Sequence, residues 1–407
     1  MKCRFCRHPL HSVFLDLGSA PPSNSYLDQA ALQAPETWFP LKLHTCERCF
    51  LVQVDEVEHH AALFSANYAY FSSFSRTWLD HSRRYAHEAT NRLGLGATSR
   101  VVEIASNDGY LLQYFLEAGI PCLGIEPTQS TAATARARGI ETVTEFFGAA
   151  LGQRLARERG AADLVIANNV LAHVPDLNDF VSGLSALLAP EGVLTVEFPH
   201  LMQLVAGNQF DTVYHEHFSY LSFGTVREIL AAHQLRVWDV QQLGTHGGSL
   251  RVWASPAGSR RATLESVTDL LQHEERAGMR TMAYYQGFQQ KADLVKNELL
   301  GFLLEQKRQG KRLAAYGAAA KGNTLLNYAG VRPDLLPYVV DASPHKQGRF
   351  LPGSRIPIVP ESHLQADKPD VVLILPWNLR DEITSQLAYI RGWGGSFAVA
   401  VPALDLW

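Results

Sequence analysis

From about residue 100 the chain alternates short apolar runs with longer stretches whose apolar positions recur at helical spacing. The runs at 100–105, 121–126, 164–168 and 193–198 predict strands, and the stretches at 109–118 and 177–188 predict helices. Strands alternating with helices imply a mainly parallel sheet covered on both faces. Residues 259–309 read as helical and rather polar, after which the alternation restarts. Strands are predicted at 311–316, 338–341, 371–375 and 396–401, with helices at 321–328 and 379–390, which describes a second nucleotide-fold unit. Residues 1–66 lack this rhythm and hold short apolar runs broken by Pro and Asp. The pattern therefore divides the chain at 1–66, 67–255 and 256–407, an α/β protein with a small N-terminal module. A length of 407 residues suits such a division, since domains usually run roughly 100–200 residues.

Composition adds mainly exclusions. The formal net charge is −4, with no electrostatic footprint for nucleic acid. No apolar stretch reaches the length of a membrane span, and Met-Lys-Cys-Arg-Phe-Cys at the start is not a signal segment. A cytoplasmic protein is expected, as a monomer or weak homo-oligomer. Of the five cysteines, four form two Cys-x-x-Cys pairs, Cys3/Cys6 and Cys46/Cys49. Two such pairs complete a tetrahedral thiolate shell for Zn²⁺, and with every position filled by protein the site is structural. Cys122 lies in an apolar run and reads as a buried strand residue.

The candidate cofactor loop is Glu103-Ile-Ala-Ser-Asn-Asp-Gly109, between the first strand and the next helix. A turn of small residues at that place lets backbone approach a ligand. It lacks the Gly-x-Gly-x-x-Gly fingerprint, which weakens a nicotinamide reading. The second strand ends in Glu126, which can accept hydrogen bonds from two ribose hydroxyls, as adenosylmethionine and NAD both require. The segment 163–169 and the Leu-Ala-Pro-Glu-Gly run at 188–192 before the next strand follow the order of a class I methyltransferase. Glu103, Ala105, Asn107, Asp108, Gly109, Glu126, Asn168 and Asn169 are the candidate cofactor residues. Phe146 and Phe147 can flank an adenine or simply fill the core; Phe147 joins the candidates.

Downstream, Tyr214-His-Glu-His-Phe-Ser-Tyr220 packs five titratable side chains together. A His beside a Tyr and a Glu can take a proton while the phenol steadies the anion. A metal at His215 and His217 is the alternative, without a supporting carboxylate pattern.

These motifs resemble the sugar C-methyltransferases that act on nucleotide-linked deoxysugars. The resemblance rests on the cysteine module, the 103–109 loop, residues 214–220, Thr-His-Gly-Gly-Ser-Leu-Arg-Val at 245–252, Tyr-Gly-Ala-Ala-Ala-Lys-Gly-Asn at 316–323 and Leu-Pro-Trp-Asn at 375–378. It covers essentially the whole chain. Ala105 departs from it, since the family usually has Gly there. The resemblance implies a dTDP-linked 4-keto-deoxysugar substrate, a base that removes the proton next to the ketone, and attack of the enolate carbon on the methyl of adenosylmethionine. His217 matches the base, with Tyr214 and Glu216 as its neighbours. Tyr68 or Tyr70 would approach the sugar from the preceding helix, and His215 and His246 would face the substrate. In the last unit Gly317, Lys321, His345, Lys346 and Asn378 would meet the nucleotide sugar, Gly317 and Lys321 from a strand-to-helix turn suited to a diphosphate. O- or N-methylation of a related molecule, and a non-catalytic nucleotide-binding zinc scaffold, are the competing readings.

Overall fold

The computed structural model describes residues 1–55, 72–74 and 76–407. Its centre is a seven-stranded sheet in the order Leu235–Leu243, Ser249–Pro256, Leu188–Pro199, Ala162–Asn168, Val101–Ile104, Cys122–Ile125, Glu141–Val143. Val101–Ile104 is parallel to Cys122–Ile125 and to Ala162–Asn168. Ser249–Pro256 runs antiparallel to both its neighbours. All of Val101–Ile104 is buried, as a sheet covered on both faces demands. From this strand the chain builds outward through Glu141–Val143 and then returns to the opposite side. The order reverses beside Val101–Ile104, and ligands of open α/β sheets bind at such a point, outside the carboxyl ends of the strands.

Two boundaries differ from the sequence pattern for local reasons. The helix expected from residue 109 begins at Leu112, because Asn107 and Gly109 have φ of +48° and +79°, outside any helix. The run 188–192 does not precede its strand but belongs to it: the strand starts at Leu188, which pairs with Ala162.

The second α/β unit has the order Ile358–Val359, Val339–Val340, Leu313–Tyr316, Val371–Ile374, Ser396–Val399, Asp405–Leu406, with the last strand antiparallel. Helix Ala320–Ala329 follows its first strand. The turn between them needs Gly317, whose φ is +95° and where a Cβ would collide with Pro376. Helices Glu265–Arg276 and Phe288–Arg308 connect the two units. Among the described residues no helix is long and apolar enough to cross a membrane.

The N-terminal module is an antiparallel sheet of Ser12–Ala20, Phe39–Thr45 and Val52–Val54. Its fourth strand comes from the middle of the chain: Ser219–Tyr220 pairs with it, Tyr220 opposite Val52 and Ser219 opposite Gln53. At one end of the module the four sulfurs of Cys3, Cys6, Cys46 and Cys49 lie within 4.8 Å of one another. Cys3 and Cys49 are 3.6 Å apart, and Cys6 and Cys46 3.5 Å. A tetrahedral zinc with Zn–S bonds of about 2.3 Å sets its sulfurs about 3.8 Å apart, so the donor set fits a structural Zn²⁺. Both knuckles turn the same way: Arg7 and Phe50, each four residues after its first cysteine, have φ near +60° and return a backbone bond to that cysteine's carbonyl.

The first knuckle reaches the middle of the chain. Arg4 donates from Nη2 to the Val54 carbonyl at 2.9 Å and from Nη1 to the Pro175 carbonyl at 3.2 Å. Its guanidinium covers the Phe218 ring at 4.8 Å. The cysteines share one apolar cluster with the central sheet, through Leu51, Leu221 and Phe223.

The purified protein is therefore expected to carry about one zinc per chain. Cys46→Ser, or chelation under reducing conditions, should release the metal and raise hydrogen exchange at 213–220 as well as in the module itself. Elemental analysis that finds no zinc in protein retaining full exchange protection would refute this.

Candidate active site

The cavity at the switch point has a volume of about 1270 Å³. Its walls come from the central sheet's crevice, the 212–221 loop, residues 22–26 of the N-terminal module and the start of helix Ala320–Ala329.

One end has the features of a nucleoside pocket. Glu126, at the tip of Cys122–Ile125, accepts from the Asn107 backbone N–H at 3.0 Å and the Thr128 N–H at 2.9 Å. Those bonds tie the 105–109 loop to the strand end and leave carboxylate lone pairs for a ligand's hydroxyls. Burial nevertheless raises the Glu126 pKa. Ala105, Asn107, Phe147, Asn168 and Asn169 share this wall. Phe147 stands edge-on to Phe180, with centroids 5.5 Å apart. The side-chain oxygens of Asn168 and Asn169 are buried without a protein partner, as acceptors awaiting a ligand would be.

Three loop residues named as cofactor contacts lie behind this wall. Glu103 is completely buried, and burial together with the charges of Glu126 and Asp108 holds its pKa well above the carboxylate range. Asp108 is also completely buried, accepts from Ser73 Oγ and lies 3.5 Å from Arg138. Gly109 is a packing position, where a Cβ would collide with Ile140.

At the other end Tyr214, Glu216, His217 and His246 face the cavity. His217 Nδ1 lies 3.1 Å from the Thr212 carbonyl, which can only accept. The hydrogen therefore sits on Nδ1, and Nε2 keeps a free lone pair. Burial, then the nearby His173, hold the His217 pKa well below the usual histidine value, so the ring is neutral at pH 7. The Tyr214 ring lies 3.9 Å from it, centroid to centroid. Glu216 accepts from Asn24 Nδ2 at 2.7 Å, and burial lifts its pKa to about 7. His246 lines the wall edge-on to Trp78, 5.2 Å between centroids, and burial lowers its pKa to about 4.

His215 points the other way. Its Nε2 lies 3.2 Å from the Pro40 carbonyl and its ring packs edge-on to Phe39, so it fastens the loop to the N-terminal sheet and does not line the cavity. Tyr68 and Tyr70 lie outside the described residues.

The sequence reading missed His173 and Asn24. His173 Nδ1 donates to the Glu216 carbonyl at 2.8 Å, and its ring stands 4.6 Å from that of His217. A histidine just past Ala162–Asn168 was the available signal for it. Asn24, 192 positions from its carboxylate partner, had none.

From the last unit, Lys321 and Lys346 line the cavity, joined by Arg349, which the sequence reading also missed. Gly317, His345 and Asn378 are not on the wall. Gly317 makes the turn, His345 is exposed, and Asn378 Oδ1 accepts from Lys321 Nζ at 2.6 Å. Lys346 Nζ donates to the Ala318 carbonyl at 2.9 Å.

Ala105 sits at φ +58°, in the left-handed region where a Cβ costs about 1–2 kcal/mol. This accounts for the glycine usual at that place. Ala105→Gly relieves the clash but frees the unfolded chain, so a net stabilisation of up to about 1 kcal/mol is expected. Urea unfolding that shows Ala105→Gly to be less stable would contradict it.

Three family models match the chain: a zinc binding domain over residues 3–64, a methyltransferase domain over 78–240 and a C-methyltransferase C-terminal domain over 244–402. The C-methyltransferase NovU of Streptomyces niveus is 35% identical over 401 residues, 98% of this chain and 95% of that protein. A ubiquinone biosynthesis O-methyltransferase of Bordetella avium is 33% identical over only 95 residues, 23% of this chain and 39% of that one. Among solved structures, a SAM-dependent methyltransferase of Thermotoga maritima, described as a possible histamine N-methyltransferase, is 15% identical, covering 48% of this chain and 99% of that one, with a TM-score of 0.36. The zinc module, methyltransferase core and C-terminal unit fall together in a chain aligned over 98% of its length to NovU, and this chain belongs to that C-methyltransferase family, a SAM-dependent enzyme with a class I Rossmann-like core.

Proposed function

We propose that the methyl acceptor is the carbon next to the ketone of a dTDP-linked 4-keto-deoxysugar, and that methylation proceeds through an enolate with His217 as base. One observation carries this reading: a neutral imidazole with its Nε2 lone pair free faces a cavity continuous with the cofactor crevice. A ketone makes the neighbouring C–H acidic enough for such a base, and Nε2 accepts that proton. Tyr214, packed on the His217 ring, places a phenol beside the reacting carbon. Glu216, held by Asn24, is suited to orient a sugar hydroxyl. His173 fixes the loop through the Glu216 carbonyl. Glu126 takes the ribose of adenosylmethionine, with Asn107, Phe147, Asn168 and Asn169 around it. Bound there, adenosylmethionine supplies an electrophilic methyl on sulfur, so the reaction centre needs no metal. Lys346 and the exposed Arg349 are placed to meet the nucleotide's diphosphate.

Glu126→Ala should weaken adenosylmethionine binding by roughly 1–3 kcal/mol, through lost hydrogen bonds to a charged acceptor. Calorimetry showing unchanged affinity would remove Glu126 from the site.

His217→Asn should keep that affinity and slow turnover by about 10²–10⁴-fold, the usual contribution of a general base. With S-adenosylhomocysteine in place of the donor, wild-type enzyme should exchange the substrate's α-proton with deuterated water, and the variant should not. Because the His217 pKa is held well below 6.5, the acidic limb of kcat/KM should also lie below that pH. An enzyme that methylates oxygen or nitrogen would show no carbon exchange, and a fully active variant would exclude His217 as base.

A further inference from the structure

Lys321 was grouped above with the residues expected at the diphosphate, yet its surroundings belong to the reaction centre. Helix Ala320–Ala329, whose first turn carries it, is fastened at two points to the loops that form that centre. Thr324 Oγ1 donates to the Val213 carbonyl at 2.7 Å, next to Tyr214. Asn323 Nδ2 donates to the Ser23 carbonyl at 2.6 Å, next to the Asn24 that holds Glu216. The Lys321 ammonium lies 4.6 Å from the Trp377 ring centroid and donates to Asn378 Oδ1 at 2.6 Å. Trp377 is fixed in turn: its Nε1 donates at 2.8 Å to Asp211 Oδ2, and its far edge fills the space where a Cβ on Gly247 would stand, beside His246. The positive charge is thus held by an aromatic face and a neutral amide. It makes no direct ion pair among the described residues; burial lowers its pKa, and the nearby buried Asp211 acts against that in favour of the charged form. The Lys321 charge in turn acts on both His217 and His246. Lys346 differs, since the Ala318 carbonyl and the Asp341 carboxylate, 3.4 Å away, already engage it.

We propose that Lys321 is a catalytic residue of the methylation, its ammonium donating a hydrogen bond to the ketone oxygen and holding the negative charge that develops there, while Lys346 and Arg349 take the diphosphate. This assignment rests on the enolate reading. In the step, the α C–H bond breaks and its proton goes to His217 Nε2. The bond's electron pair becomes the enolate C=C, and the carbonyl π pair moves onto oxygen. Lys321 donates a hydrogen bond to that oxygen and keeps its proton. When the new C–C bond to the methyl forms, the oxygen pair restores C=O, the pair of the breaking S–C bond stays on sulfur, and the imidazolium releases its proton to water. A donor fixed where charge appears strengthens only as the transition state forms.

The test compares Lys321→Met, Lys321→Arg, Lys346→Met and Arg349→Met on whichever nucleotide 4-ketosugar the wild type methylates. Calorimetry with adenosylmethionine and with dTDP reads binding; α-proton exchange in deuterated water with S-adenosylhomocysteine reads enolate formation. Lys321→Met should slow exchange and kcat by about 10²–10³-fold, the usual loss for one such donor, while both affinities stay at wild-type values. Lys321→Arg should recover part of the exchange rate. Lys346→Met and Arg349→Met should weaken dTDP binding and raise the KM for the nucleotide sugar. The assignment is overturned if Lys321→Met exchanges at the wild-type rate, or if it loses dTDP affinity as the other two do with normal exchange at saturation. A wild-type enzyme that methylates without ever exchanging the proton overturns the enolate reading and this assignment together.

Discussion

The pairing of Ser219–Tyr220 with Val52–Gln53 is the contact on which the reaction centre depends. The residues before it, 213–218, have no regular structure of their own, and such a loop usually samples many conformations. Here its far end is a strand of another sheet, and Phe218 lies under the Arg4 guanidinium. His215 ties its middle to Pro40, the Glu216 carbonyl is bound by His173, and the Val213 carbonyl by Thr324. Each bond contributes only about 0.5–1.5 kcal/mol net, but they come from three parts of the chain and act on neighbouring residues. Metal binding to a cysteine cluster is folding free energy for the elements around it. Arg4 sits inside the first cysteine pair and holds both Val54 and Pro175, so the zinc site orders the walls of the cavity without approaching the chemistry.

The electrostatics of the reaction end follow from how its groups are buried. His173, His217 and His246 all have pKa values lowered, first by burial, so three imidazoles stay neutral near one ammonium. Two buried carboxyls move the opposite way, Asp211 to about 6 and Glu216 to about 7, while Glu197 is held low by His81 and Arg251 against its burial. The result is a centre of neutral imidazoles, with the proposed base His217 already in its accepting form. A negative charge arising on a substrate meets oriented donors that need no rearrangement.

Much of this was legible in the sequence because it is local. The strand rhythm, the cysteine pairs and the dense 214–220 segment are each carried by residues close together in the chain. The direction of a side chain in an irregular loop is not local. His215 and His217 look equivalent in sequence, but one is drawn to the Pro40 carbonyl and the other to the Thr212 carbonyl, and only the second is left facing the cavity. Asp108 and Gly109 likewise lie off the cavity wall, in a loop with positive φ at Ala105, Asn107 and Gly109. Asn24, Trp377 and Arg349 reach the centre across long sequence separations, and no periodicity announces such a contact.

The C-terminal unit has a physical reason to be present. The crevice of an open α/β sheet is exposed above the strand ends, and water there would compete for the enolate proposed above. Excluding water also strengthens each fixed dipole around the developing charge. In this chain residues 22–26 and the first turn of Ala320–Ala329 stand over that crevice, joined to each other through Asn323 and Ser23 and to the catalytic loop through Thr324. The three units thus line one cavity, and the helix at its wall brings Lys321 to the same place. A methyltransferase acting on oxygen or nitrogen has no carbanion to shield. Lysine, tryptophan and a hydrogen-bonded helix beside the proposed base make physical sense together when the nucleophile is carbon.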